Sequence, residues 1–367
     1  MGAHFARIVG SIASVAAACV AWAGSYAYRP PSPVGEILHS RAEVGWAVWS
    51  QAGLEVVRVT MRIDGRPVDA RYDAQLRRVV HLPSRPFDRG RHHVECTVDF
   101  GEFEAQREWD FVVRDDAVAE LPMPSGDAVA LAEAVRAVRR EAGLGAARTH
   151  PALCAAAALQ TKLLRETGRF DHYQDAGTAS DPGGRARLYG YSGAVSELIA
   201  YHHGTPEQAV RSLFAAPYHR VPLLTPGSPD LGASAQREFT ALLVGSGTPT
   251  DVLSPRPGAT GVARGWDGNE SPDPMRGTGV SAPFGYPVVL ALYSEPGDWS
   301  LVVAKLSAGG KIVPCTVRHS GNDPHARQAA ILVPHSPLAP RTLHVATVSV
   351  MGARGLSTHE WEFTTGD

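Results

Sequence analysis

The hydrophobic pattern changes period twice along the chain. Over residues 36–114 the apolar positions come in short runs without a helical repeat, as in Val56-Val57-Arg58-Val59-Thr60-Met61 and His93-Val94-Glu95-Cys96-Thr97-Val98. Turn signals at Asp64-Gly65 and Asp88-Arg89-Gly90 separate such runs. Short strands at this spacing predict a small β-sandwich that ends on Trp109-Asp110-Phe111-Val112-Val113. Leu131, Val135, Val138 and Ala142 then fall on one face of a helix, with Ser125-Gly126-Asp127 as its cap and Gly143 as its stop. A second helix begins with Pro151 near its first position and carries Leu153, Ala157 and Leu164 on one face as far as Gly168. Thr205-Pro206-Glu207-Gln208 announces a third, with a cap, a first-turn proline and a glutamine at the capping-box position, and Pro217 halts it. Residues 238–244 read as a strand. From Tyr286 the pattern is β again, with Pro287-Val288-Val289-Leu290-Ala291-Leu292, Leu301-Val302-Val303-Ala304, residues 343–350 and the closing Trp361-Glu362-Phe363-Thr364-Thr365.

Helices followed by a strand make the middle of the chain α+β rather than a regular βαβ alternation. The two W-x-F endings mark the flanking domains as cousins, both immunoglobulin-like. The expected division is a signal peptide or anchor over residues 1–28, a β-sandwich over 29–118 and a central domain over 122–247. A linker over 248–281 and a second β-sandwich over 282–367 follow. The Pro-rich Arg29-Pro30-Pro31-Ser32-Pro33 is the first spacer.

Composition adds little. In 367 residues, 35 Lys plus Arg stand against 37 Asp plus Glu, so no charge argument points to nucleic acid or an anionic membrane. The N-terminus says more. Arg7, the apolar residues 8–21 and Ala21-Trp22-Ala23 form an export signal with a cleavage site. The run falls short of the ~20 residues of a spanning helix, though an uncleaved anchor fits it too, and Ala16-Ala17-Ala18-Cys19 is a degenerate lipoprotein site. Either way the expected location is outside the cell or in its envelope. Cys96, Cys154 and Cys315 are widely spaced and read as buried free thiols.

Three residues between Arg169 and Arg220 draw attention. His172 lies in a turn-prone stretch, Glu197 sits in Ser196-Glu197-Leu198-Ile199-Ala200 where apolar neighbours pull it inward, and His219 follows the third helix. A loop histidine alone is ordinary polar surface. Together, two imidazoles and a carboxylate are a ligand set for zinc or another divalent cation with an open position, able to polarise a carbonyl or generate hydroxide. At 25 and 22 residues apart they need the fold to bring them together. Without metal, a Glu–His pair supports acid–base work. Arg185 and Arg187 could bind an anion, although packing of Arg185 on the loop through an ion pair is the favoured reading. Gly190-Tyr191-Ser192-Gly193-Ala194 lacks the last glycine and the strand of a nucleophile elbow. The adjacent pairs His92-His93 and His202-His203 diverge on any regular element and read as structural or surface. In Asp267-Gly268-Asn269-Glu270-Ser271-Pro272-Asp273 a proline stands where a calcium loop needs glycine, so the segment reads as solvated linker.

The combination of Arg140-Glu141-Ala142-Gly143-Leu144, Pro151-Ala152-Leu153, Phe170-Asp171-His172-Tyr173, Arg185 before Gly190-Tyr191, Ser196-Glu197-Leu198-Ile199-Ala200 and Pro217-Tyr218-His219-Arg220 resembles the CAP superfamily. This is the group of cysteine-rich secretory proteins, antigen 5 and pathogenesis-related 1, here in its bacterial branch. The resemblance covers residues 127–245, about a third of the chain. It implies an α-β-α sandwich with a cleft where His172, Glu197 and His219 converge as catalytic or metal-binding residues, supported by Arg185, Tyr191 and Glu238. Members are typically secreted, and metal binding, lipid or sterol binding and proteolysis are all ascribed within the group. The chain departs from the pattern at Glu238, which precedes Phe239-Thr240 where many members have a histidine, and at Leu198, which replaces the usual Asn. Three functions stay open: an envelope protein whose cleft binds a divalent metal and a small ligand, lipid or peptide; a metal-assisted hydrolase or peptidase; and a non-catalytic scaffold or adhesion protein bound to envelope components.

Overall fold

The computed structural model describes residues 25–201, 204–295 and 299–367. The leader with Cys19 and the pair His202-His203 lie outside the described residues. The chain divides into two compact units, one of residues up to Leu121 with Ala186–Ser192, the other of Pro122–Arg185 and Gly193–Asp367.

In the first unit, strands Tyr26–Tyr28, Val44–Ser50, Arg78–His81 and Arg71–Asp73 form one sheet in that order. Gly35–His39, Glu104–Val118, Gly90–Asp99, Arg58–Ile63 and Arg66–Val68 form the other. One apolar core holds Trp46, Val48 and Val79 of the first sheet and Ile37, Val94, Val98 and Phe111 of the second. The period of two dictates this: along Gly90–Asp99 the buried residues are His92, Val94, Cys96 and Val98. Trp109 and Phe111 of the W-x-F ending both point inward. The module begins before residue 29, because Ala27 pairs with Trp49 in an antiparallel edge strand.

The second unit opens with helices α1 (Asp127–Glu141) and α2 (Pro151–Thr167). α3 (Pro182–Leu188), whose residues from Ala186 are grouped with the first unit, α4 (Pro206–Ala215) and α5 (Pro217–Leu223) follow. Thr205 caps α4 by accepting from the Gln208 amide, with Pro206 first in the helix. α4 halts at Ala215, before Pro217 as expected, and the same proline also starts a new helix. A proline that cannot continue α4 has the φ suited to the first position of a new helix, so α5 begins there and His219 lies inside it.

The sheet of this unit runs Arg148–Thr149, Asp230–Gln236, Phe239–Gly245, Val195–Tyr201, with the last strand on the edge. α1 and α4 pack through Leu131, Val135, Val138, Val210 and Leu213 on the face made by Leu198, Leu231, Ala233, Leu242 and Val244. α2 packs on the strand Asp230–Gln236. At Gly232 a Cβ would stand 2.2 Å from the Leu153 backbone, so only glycine allows this approach.

Two larger C-terminal sheets and a two-stranded one, Gly265–Trp266 with Phe284–Gly285, complete the unit. Part of the stretch read as linker belongs to them: Val252–Ser254 edges the sheet with Val288–Ala291, Ala329–Pro334 and Cys315–Arg318. Ala259–Val262 runs parallel to the last strand, Gly355–Thr365. Trp266 and Met275 from the same stretch are buried in one cluster with Val221 of α5 and Leu224 just after it, because a large apolar side chain gains more inside than in a solvated loop. Trp361 and Phe363 enter the core between the two sheets, repeating the arrangement of Trp109 and Phe111.

Two measurements check this packing. Gly232→Ala forces the Leu153 backbone away and should cost about 1–3 kcal/mol in urea unfolding. His344 is buried and stacked on Phe363 at 5.3 Å, and burial holds its imidazole below the usual value. Above about pH 6.5 both folded and unfolded imidazoles are neutral, whereas below it the unfolded chain takes up a proton that the folded chain refuses. Stability should therefore fall on acidification through this window, and less so in His344→Gln, as read from unfolding midpoints across pH.

Candidate functional site

The site begins where α2 ends at Gly168, whose left-handed backbone (φ 67°) turns the chain into the loop carrying His172. That loop is pinned from inside. Gln160 of α2 and Gln174 both donate to the Asp171 carbonyl, at 2.9 and 2.7 Å, and Arg185 donates to the His172 carbonyl at 2.9 Å. The imidazole is thus fixed at its own backbone and at the residue before it.

Glu197 is the third residue of the edge strand Val195–Tyr201. Leu198 and Ala200 face the core under α1 and α4, so the alternation sends Glu197 to the other face. Its side chain is fully buried while the residue as a whole is partly open, as befits an edge-strand backbone. One guanidinium nitrogen of Arg185 reaches its two oxygens at 3.0 and 2.8 Å, and His172 Nδ1 lies 3.0 Å from Oε1. Arg185, itself fully buried, also donates to the carbonyls of Ala179 and Ser180. Because a carboxylate only accepts, the proton of a neutral His172 sits on Nδ1 and Nε2 presents its lone pair. Nε2 makes no hydrogen bond among the described residues, and the His172 side chain is 37% exposed.

His219 has a different partner. Its Nδ1 lies 2.8 Å from Glu270 Oε1, and the amides of Tyr218 and His219 donate to the same carboxylate at 3.1 and 2.9 Å. Glu270 therefore caps the first turn of α5 with a fully buried side chain, whereas the sequence reading took its segment as solvated linker. The Tyr218 hydroxyl donates to Asp323, and burial together with that carboxylate pushes its pKa upward.

The structure thus brings together His172, Glu197 and Arg185. Glu238 stands in the turn between Asp230–Gln236 and Phe239–Gly245, and Tyr191 belongs to the short stretch grouped with the N-terminal unit. Among the described residues no group of three or more His, Cys, Asp or Glu is arranged to hold a metal ion. The donor set does not fit one either. Both Glu197 oxygens are engaged by a guanidinium, so a cation at this carboxylate would meet a buried positive charge. Nothing in the sequence signals Gln160 or Gln174, and the composition of a solvated linker hides Glu270. The sole signal for Glu270 is an acid four residues after Trp266, a residue too apolar for an exposed linker.

Beside His172 the surface is aromatic. Phe170, Tyr173 and Tyr201 are largely exposed, and the rings of Phe170, Tyr201 and Phe239 cluster with centroids 5.2–6.5 Å apart. Tyr201 is four residues beyond Glu197, on the same side of its strand.

No family model and no curated protein matches the sequence. Among solved structures the chain is similar to an extracellular protein containing an SCP domain from Bacillus anthracis, at 12% identity over 67% of this chain and 98% of that one, with a TM-score of 0.31. It is similar to a cysteine-rich secretory protein from Staphylococcus aureus at 9% identity over 63% and 90%, with a TM-score of 0.28. An outer surface protein from Borrelia burgdorferi is similar at 16% identity over 36% and 100%, with a TM-score of 0.31. Similarities of this size carry no functional argument, which rests instead on the geometry of His172, Glu197 and Arg185.

Proposed function

We propose that this chain is an exported CAP-like protein whose central site binds a small organic ligand. The ligand places an apolar or aromatic face on the Phe170, Tyr173 and Tyr201 rim and a hydrogen-bond donor on His172 Nε2. One observation carries the reading. A half-exposed imidazole is held at its inner nitrogen by a fully buried carboxylate that is itself held by a fully buried arginine. Burying an ion pair is costly, and this pair leaves one imidazole orientation beside exposed aromatic rings. An export signal, as the sequence of Arg7, the apolar residues 8–21 and Ala21-Trp22-Ala23 suggests, supports a location at the cell envelope, where acyl chains and apolar peptides are available as ligands. A divalent cation is not part of this reading, given the guanidinium on Glu197.

The test is titration of the full chain with a dansyl-labelled fatty acid and a dansyl-labelled apolar tripeptide, followed by fluorescence. One of the two should bind, and His172→Ala and Tyr201→Ala should each weaken it by about tenfold or more, a loss of ~1.4 kcal/mol. Binding by neither probe, or binding indifferent to both substitutions, would sink the proposal. In parallel, zinc uptake should be the same in the wild type and in His172→Ala/His219→Ala, and a difference would restore the metal reading.

The buried pair is tested by stability. Arg185→Met leaves Glu197 buried without its partner and should cost about 3–5 kcal/mol, and adding Glu197→Gln should recover part of the loss. A double variant no more stable than Arg185→Met would contradict the coupling.

A further inference from the structure

We propose that the N-terminal β module carries a binding site of its own, a cleft for a neutral oligosaccharide. The cleft measures about 940 Å³ and runs between the end of Val44–Ser50, the segment 51–56 and the turn that joins Arg71–Asp73 to Arg78–His81. Trp49, Tyr72 and Leu54 form its apolar surface, and Gln51, Glu55 and Arg77 stand among them with exposed polar ends. None of these residues belongs to the His172 site.

The aromatic rings are fixed before any ligand arrives. The Tyr72 hydroxyl donates to the Val48 carbonyl at 2.8 Å, which ties the ring to the strand Val44–Ser50. Trp49 is held in register opposite Ala27. The Arg77 guanidinium lies over the Trp49 ring, 6.0 Å from its centroid. Arg77 reaches that place from a left-handed backbone (φ 51°), in a turn closed by Asp73 accepting from the Leu76 amide. A glycine or asparagine would take this conformation at less cost, yet the chain places an arginine there.

The lining chooses the ligand class. A pyranose ring has a face of C–H groups that packs on half-buried aromatic rings, and a rim of hydroxyl pairs that suits planar amide, carboxylate and guanidinium groups. Glu55 and Arg77 cancel in charge, which favours an uncharged chain over an anionic or cationic one. The volume falls within the range of ligand pockets, and the open shape admits a polymer rather than an enclosed small molecule. A proline-rich peptide also docks on aromatic grooves, but its backbone offers only carbonyl acceptors and would leave Glu55 without a donor.

Isothermal titration of the full chain with cellohexaose, chitohexaose and mannohexaose tests the proposal. At least one should bind with a Kd between about 10 µM and 1 mM. Trp49→Ala should weaken it about tenfold or more, and Gln51→Ala, on the exposed rim where folding is not at stake, by about threefold. His172→Ala should leave it unchanged, which separates this site from the central one. The proposal fails if none of the three sugars gives a signal at about 5 mM, if binding is indifferent to both Trp49→Ala and Gln51→Ala, or if decaproline binds through Trp49 in their place.

Discussion

Buried guanidinium groups hold this protein's irregular segments together. Arg139, Arg185 and Arg220 are each at most 1% exposed, and each satisfies its donors chiefly with backbone carbonyls. Arg139 takes those of Gly145, Leu223, Thr225 and Gly227 at 2.7–3.0 Å, joining the loop after α1 to the end of α5. Burial without a counter-charge pushes its pKa down to about 10. Arg220 takes Phe214, Ala215 and Pro287 and stacks on the Tyr286 ring at 4.2 Å, fastening α5 to the C-terminal strands. Five donors in a rigid fork suit chain turns, where carbonyls have no helix or sheet partner.

Arg185 differs from the other two by one feature, a carboxylate. Its contacts to Ala179, Ser180 and His172 are of the same kind as those of Arg139, but Glu197 adds a charge that extends the network to an imidazole at the surface. The same scaffolding chemistry that closes a loop elsewhere here sets the angle of a ring beside exposed aromatics. Structural support and functional geometry are therefore one network, and loosening the loop would also misplace the imidazole.

The two histidine–glutamate pairs show how context divides one chemistry. In both, Nδ1 meets a fully buried carboxylate at 2.8–3.0 Å. Glu270 also takes two helix amides, so its pair with His219 closes the start of α5. Glu197 takes a guanidinium, and its partner His172 is 37% exposed against 17% for His219. The different third partner, amides against arginine, decides which pair is structural.

Much of the fold is written in local pattern. The strand runs around Val94 and Val98, the face of Leu131, Val135 and Val138, the Thr205 cap and the two W-x-F endings each follow from side-chain period and backbone preference, which neighbours in sequence settle alone. His172 and Glu197 were legible too, one as a loop histidine and the other as an acid among apolar neighbours. An ion pair of Arg185 on this loop was the favoured reading, and the convergence of His172 with Glu197 came only from the family resemblance, since the identity of a partner 12 or 25 residues away depends on how helices and an edge strand are stacked. The partner of His219 was hidden for the same reason. Its partner Glu270 lies 51 residues away in a segment whose composition is that of a solvated loop, and only the packing of Trp266 against α5 turns that carboxylate inward. Sequence alone determined the three helices of strongest period, the main strand runs and which residues carry charge. Tertiary structure decided which charges meet, because a buried carboxylate takes the donors that packing places within reach.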